Sequence, residues 1–172
     1  MGMDVYGKKP KNKKGEYFRA NVWGWHPLWD YCQQMHGDLA NKVKHGHSNS
    51  GDGLEEKDAI ELSKRLSKDL ATGVVHEYII ERNNYLASLE RPVCYLCNGT
   101  GIRTDEIGLR NGMPDQVLSP EIQIITGREK GSCNGCSGEG LGYNFETNYN
   151  LSKETVGKFA EFLLNCGGFE IC

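Results

Sequence analysis

Cys94-Tyr-Leu-Cys97-Asn-Gly99-Thr-Gly101 and Cys133-Asn-Gly-Cys136-Ser-Gly138-Glu-Gly140 are two copies of one pattern, Cys-x-x-Cys-x-Gly-x-Gly, set 39 positions apart. A Cys-x-x-Cys pair presents two thiolates on one tight turn, and two such turns supply the four soft ligands of a tetrahedral zinc ion. The glycines have a separate task. After the second thiolate of each pair the backbone must fold back, often through positive φ, where glycine meets no steric penalty.

The chain carries 7 cysteines. Disulfides or a redox dithiol are the competing readings of the two pairs. Against disulfides, the number is odd, no export signal is visible, and four of the cysteines fall in paired metal spacing. Cys32, Cys166 and Cys172 are left over. They read as small buried hydrophobes or, for Cys172, a free terminal thiol.

The repeats resemble the cysteine-rich zinc region of DnaJ-type cochaperones, in which four such repeats build two zinc centres, each shared by two repeats. Two repeats here imply one zinc per chain, bound by Cys94, Cys97, Cys133 and Cys136. The match covers Cys94 to Gly140 of the 172 residues. A J-domain needs His-Pro-Asp between two helices, whereas His26-Pro27 is followed by Leu28, so the resemblance implies the zinc region without the rest of a cochaperone. The flanks resemble small uncharacterised phage and prophage proteins. The residues concerned are Gly2-Met3-Asp4-Val5-Tyr6-Gly7, the stretches Tyr17-Phe18-Arg19 and Trp23 to Trp29, and the ending Gly167-Gly168-Phe169-Glu170-Ile171-Cys172. That likeness implies an accessory or host-directed inhibitory role and brings no activity.

Working outward from the repeats, 172 residues suit one domain carrying a small insert. The 38% hydrophobic fraction fits a globular protein. No apolar run approaches the ~20 residues of a membrane helix, and the N-terminus lacks a signal-peptide pattern. The expectation is a cytoplasmic protein with no membrane partner. A formal net charge of −3 argues against nucleic-acid binding by the whole surface. Lys8-Lys9-Pro10-Lys11-Asn12-Lys13-Lys14 is a local exception, read as a solvated loop or a phosphate contact.

The periodicities predict an α+β fold, a small helical and stranded body over residues 1–91 and 143–172 with a zinc-knuckle hairpin module inserted at 92–142. Met3 to Tyr6 reads as a strand. Glu16 to Trp25 is aromatic and partly alternating, and Pro27 suits the first turn of a helix running to about His36, with Gly37 as its stop. The tryptophans in this stretch read as core or as a binding face. Asp38 to Gly53 reads as a mobile polar loop. Ala59, Leu62, Leu66 and Leu70 trace one helix, Gly73 breaks it, and Val75, Ile79, Leu86 and Leu89 trace a second, expected to pack antiparallel on the first. Ile107, Leu109, Val117, Leu118 and Ile122 to Ile125 suggest a hairpin between the knuckles. Tyr143 to Tyr149 reads as strand-like. Ser152 caps a last helix with Val156, Phe159, Ala160, Leu163 and Cys166 on its apolar stripe, and Phe169 to Ile171 adds an edge strand. The helices flanking the insert are expected to pack together.

Three function classes follow. Four cysteinates close the coordination shell, whereas catalytic zinc keeps an open position, so the site reads as structural. No phosphate loop, His-Glu-x-x-His helix, nucleophile elbow or deaminase signature is present. The first class is therefore a non-catalytic zinc-binding protein-interaction module whose partner is another protein. The second is a zinc knuckle for single-stranded nucleic acid, using Tyr95, Arg103, Arg110, Arg128 and Lys130. Asp105, Glu106, Asp115, Glu121, Glu129 and Glu139 oppose it. The third is an enzyme of unrecognised class using His45 and His47 with Asp38 or Asp52, residues that can also be read as a second metal site.

Overall fold

The computed structural model describes residues 2–172. It is an α+β protein of seven α-helices and one three-stranded antiparallel sheet among the described residues. Two compact units are distinguished, Met1–Ala87 with Asn148–Cys172, and Ser88–Thr147. The second is wider at both ends than the 92–142 expected from the motif.

In the first unit, β1 (Gly2–Gly7) lies at the centre of the sheet. It pairs with β2 (Tyr17–Asn21) through Val5↔Phe18 and with β3 (Phe169–Ile171) through Val5↔Ile171. Met3, Val5, Phe18, Phe169 and Ile171 turn one face inward, as the period of two requires. The lysine run between β1 and β2 forms a loop and the short helix α1 (Lys13–Glu16). Three of its five lysines are paired: Lys8 with Glu55 at 2.6 Å, Lys11 with Glu56 at 2.9 Å, and Lys14 with Glu161. Lys9 and Lys13 of the run stay exposed.

Helix α2 spans Val22–Ala40 and starts before Pro27. The true start is Asn21, whose side chain accepts the Gly24 N–H at 2.8 Å, leaving Pro27 inside the helix. At His36 the helical course breaks (φ −136°, ψ 40°), close to the expected stop, and one further turn follows. Trp25 and Trp29 are fully buried, with stacked rings 5.6 Å apart, whereas Trp23 stays partly exposed on the edge of Tyr149.

Helix α3 (Glu56–Thr72) and helix α4 (Val74–Ser88) are separated by Gly73 at φ 86°. They do not form the expected antiparallel pair. α3 packs chiefly against α7 (Lys153–Asn165), and α7 therefore does not take α4 as its main partner either. The physical reason is stripe quality. Ala59, Leu62 and Leu66 are buried against Val156, Phe159, Ala160 and Leu163, and the Ser63 hydroxyl donates to the Ala160 carbonyl at 2.6 Å. On α4 only Val75 and Leu86 are buried. Ser152 caps α7 as expected, accepting the Thr155 N–H at 3.1 Å.

In the second unit, the segment between the knuckles holds two short helices, α5 (Glu106–Arg110) and α6 (Pro120–Thr126). The expected hairpin is reduced to an antiparallel bridge, Val117↔Lys130, closing a helical loop. Ser119 and Pro120 explain the helix, one as N-cap and the other at the first helical position. The strand expected at 143–149 is a 3₁₀ turn, Phe145–Asn148. No helix of the described residues is long and apolar enough to cross a membrane.

Candidate metal centre

The two repeats fold alike. In each, the backbone passes through positive φ directly after the second cysteine: Asn98 (48°), Gly99 (84°) and Gly101 (74°), then Ser137 (53°), Gly138 (96°) and Gly140 (85°). This turn points amides back at sulfur. The Gly101 N–H donates to Cys97 Sγ at 3.2 Å, and the Gly140 N–H donates to Cys136 Sγ at 3.2 Å. The repeats also pair with each other, because the Cys94 N–H donates to the Gly140 carbonyl at 2.9 Å and the Gly142 N–H to Pro92 at 2.7 Å.

The turns bring together the four cysteines singled out from spacing. Cys94, Cys97, Cys133 and Cys136 are all buried, and their sulfurs lie within 4.8 Å of one another. Cys94 Sγ is 3.8 Å from Cys133 Sγ, and Cys97 Sγ is 3.7 Å from Cys136 Sγ. The donor set is four thiols with backbone amide hydrogens aimed at them. It suits a soft or borderline cation, and the residues present can hold one metal ion. Burial pushes the Cys133 thiol up and the Cys136 thiol up to about 12. At Cys94 burial is outweighed by hydrogen bonds from the Leu96 backbone and Cys97, so its thiol is lowered. Holding all four as thiolates in one buried cluster requires a cation among them.

Two arginines lock this geometry, a role that residue type alone does not reveal. Arg103, only 7% exposed, grips Asp105 through two nitrogens at 2.8 and 2.9 Å and reaches Asn134 Oδ1 at 2.8 Å. Arg128 donates to the carbonyls of Gly131 and Gly138. Both side chains are thereby used inside the unit. Of the residues expected to face a nucleic acid, Arg110, Lys130 and Tyr95 remain exposed.

Beside Cys94 lies a groove of about 450 Å³ walled by Pro92, Val93, Tyr95, Tyr143 and Phe145. Tyr95 is 81% and Phe145 68% exposed.

The His45/His47 loop does not form a second centre. His45 and His47 are exposed. Asp52 accepts the backbone N–H groups of His45 and Gly53 at 2.9 and 2.8 Å, which holds its carboxyl below the usual range. Asp38 pairs with Arg65 at 2.7 Å, and the His47 ring lies 4.8 Å from that of His26. Among the described residues only the four cysteines gather as metal ligands. The leftover thiols follow their surroundings: Cys32 and Cys166 are buried, with Cys166 pushed up by burial to about 11, and Cys172 is exposed.

No protein-family model, curated protein or solved structure matches the chain.

Proposed function

We propose that the ion is zinc, one per chain, and that the four-cysteine centre is structural, holding residues 88–147 as a recognition module for another protein. The observation that carries this reading is the aromatic and apolar surface left open beside the ligands. Val93, Tyr95, Tyr143 and Phe145 present large side chains to solvent around one groove, and exposed apolar patches of this kind mark interaction sites. Four thiolates leave no coordination position for a substrate, which supports a non-catalytic role. The partner best matched to such a surface is a polypeptide offering apolar side chains. Single-stranded nucleic acid is less well served, because Arg103 and Arg128 are occupied within the unit and little basic surface is left to track phosphates.

Elemental analysis should give one zinc per chain, lost in Cys94→Ser or Cys133→Ser. The zinc-loaded chain should then retain a protein partner after nuclease treatment. Combined Tyr95→Ala and Phe145→Ala should release that partner while zinc content stays unchanged. Binding that disappears with nuclease and falls steeply with salt would instead assign a nucleic acid.

A further inference from the structure

In the first unit, the break in α2 at His36 places its imidazole against α3. His36 Nε2 lies 2.7 Å from Asp69 Oδ2, and the buried Tyr31 hydroxyl donates to the same oxygen at 2.7 Å. Both partners are sheltered, with side chains 10% and 14% exposed. A carboxylate only accepts, so this network puts the imidazole hydrogen on Nε2 and leaves Nδ1 as the ring's second hydrogen-bonding atom. Among the described residues, no group is bonded to it. An imidazole fixed in tautomer and orientation by a buried carboxylate, at a residue where the helix gives up its regular geometry, is more than α2 needs for its own packing.

The surroundings say what this ring can meet. His36 and Asp69 form one wall of a cleft of about 420 Å³ completed by Glu61, Lys64, Arg65 and Lys68. Arg65 is committed to Asp38 and Glu61 at 2.7 and 3.1 Å. Asp69 Oδ2 accepts from Tyr31 and His36, which ties its carboxylate into that network. Among the described residues, Lys64 and Lys68 have no carboxylate within ion-pair distance. They stand one helical turn apart on α3, an unfavourable arrangement of like charges that an anion between them relieves.

We propose that this cleft binds a phosphate ester, with Lys64 and Lys68 taking the phosphoryl oxygens and His36 Nδ1, oriented by Asp69, meeting the third. A tetrahedral oxyanion has enough oxygens to reach both ammonium groups and the ring, which a planar carboxylate does not. A single phosphoryl group leaves most of the cleft unfilled, and the ester's organic part occupies the remainder. His36 can accept from a protonated phosphate oxygen or, when it carries a second hydrogen, donate to an ionised one.

The test uses the full, metal-loaded chain. The nitrogen resonances of the His36 ring, identified by their loss in His36→Gln, are followed as inorganic phosphate or a simple alkyl phosphate is added at ionic strength matched with sodium chloride. The expected result is a saturable shift with millimolar half-saturation, tighter for the alkyl phosphate, and weakened roughly tenfold in Lys64→Gln/Lys68→Gln. Both lysines are exposed, so that variant keeps the fold, and an unchanged circular dichroism spectrum verifies it. Ring signals that follow chloride and phosphate alike, or an identical titration in the double variant, would overturn the site and leave the His36–Asp69 pair as internal bracing. Equal or weaker binding of the alkyl phosphate would overturn the ester.

Discussion

At the scale of single residues the two repeats are held together by what their last glycines lack. A Cβ on Gly101 would sit 2.2 Å from the Gly138 carbonyl oxygen, and a Cβ on Gly140 would sit 2.3 Å from that of Gly99. Each repeat closes on the other through a position that has room only for hydrogen, and the same residues donate the N–H···S bonds to Cys97 and Cys136. Gly101→Ala and Gly140→Ala therefore carry two penalties. One is roughly 1–2 kcal/mol for an L-residue in the left-handed region; the other is a backbone clash that must push the knuckles apart. Gly127 makes the control. It has φ 66° and nothing within 4 Å of its missing Cβ, so Gly127→Ala pays only the conformational part. Purified Gly101→Ala and Gly140→Ala should lose bound metal, measured by elemental analysis, while Gly127→Ala keeps it at slightly reduced stability.

Among the elements, the loop between α2 and α3 shows how a polar, glycine-bearing sequence is fixed in place. The Trp25 indole N–H donates to the Gly46 carbonyl at 2.7 Å, and Gly46 presses against Trp29, where an added Cβ would lie 1.9 Å from Nε1. Gly46→Ala should overpack the stacked tryptophans and cost about 1–3 kcal/mol, read as a lowered thermal midpoint. Nothing local in Lys44-His45-Gly46-His47 announces this, because it arises from residues brought together by the helix, and the stretch reads as mobile for that reason. Elements whose signal is local were legible: β1, the α3 and α7 stripes, the Ser152 cap and β3 fall where the periodicities put them. The four cysteines were legible for the same cause, since their chemistry is written in spacing. Which helix packs on which was not. The short α3–α4 connection suggests a pair, but the preference of the α3 stripe for the richer α7 stripe is a property of the assembled core. In the sequence His36 reads only as a helix end, because the carboxylate that gives it meaning is 33 positions away.

For the whole molecule, the two units differ in what fills their interiors. The first buries a continuous cluster that includes Trp25, Leu28, Trp29, Phe159, Phe162, Leu163 and Phe169. The cluster at the centre of the second consists of Cys94, Cys97, Cys133 and Cys136, with Leu96 packed against it. A core of four sulfurs cannot offset the chain entropy of about 60 residues, at roughly 1–2 kcal/mol each for the backbone, so the ion must supply much of the folding free energy there. Removing the metal should therefore unfold the second unit and spare the first. The aromatic residues separate the two signals. All three tryptophans lie before residue 30, whereas the second unit holds no tryptophan and two of the eight tyrosines, Tyr95 and Tyr143, so its unfolding changes only part of the tyrosine signal. Titrating chelator into the loaded chain should alter the tyrosine region of the near-ultraviolet circular dichroism and leave tryptophan emission near its folded position until denaturant is added. Acid should act in the same direction, since lowering pH converts thiolate ligands to thiols and weakens metal binding. Coincident loss of both signals with chelator would mean that the first unit draws its stability from the metal-bound one, despite a core that looks sufficient by itself.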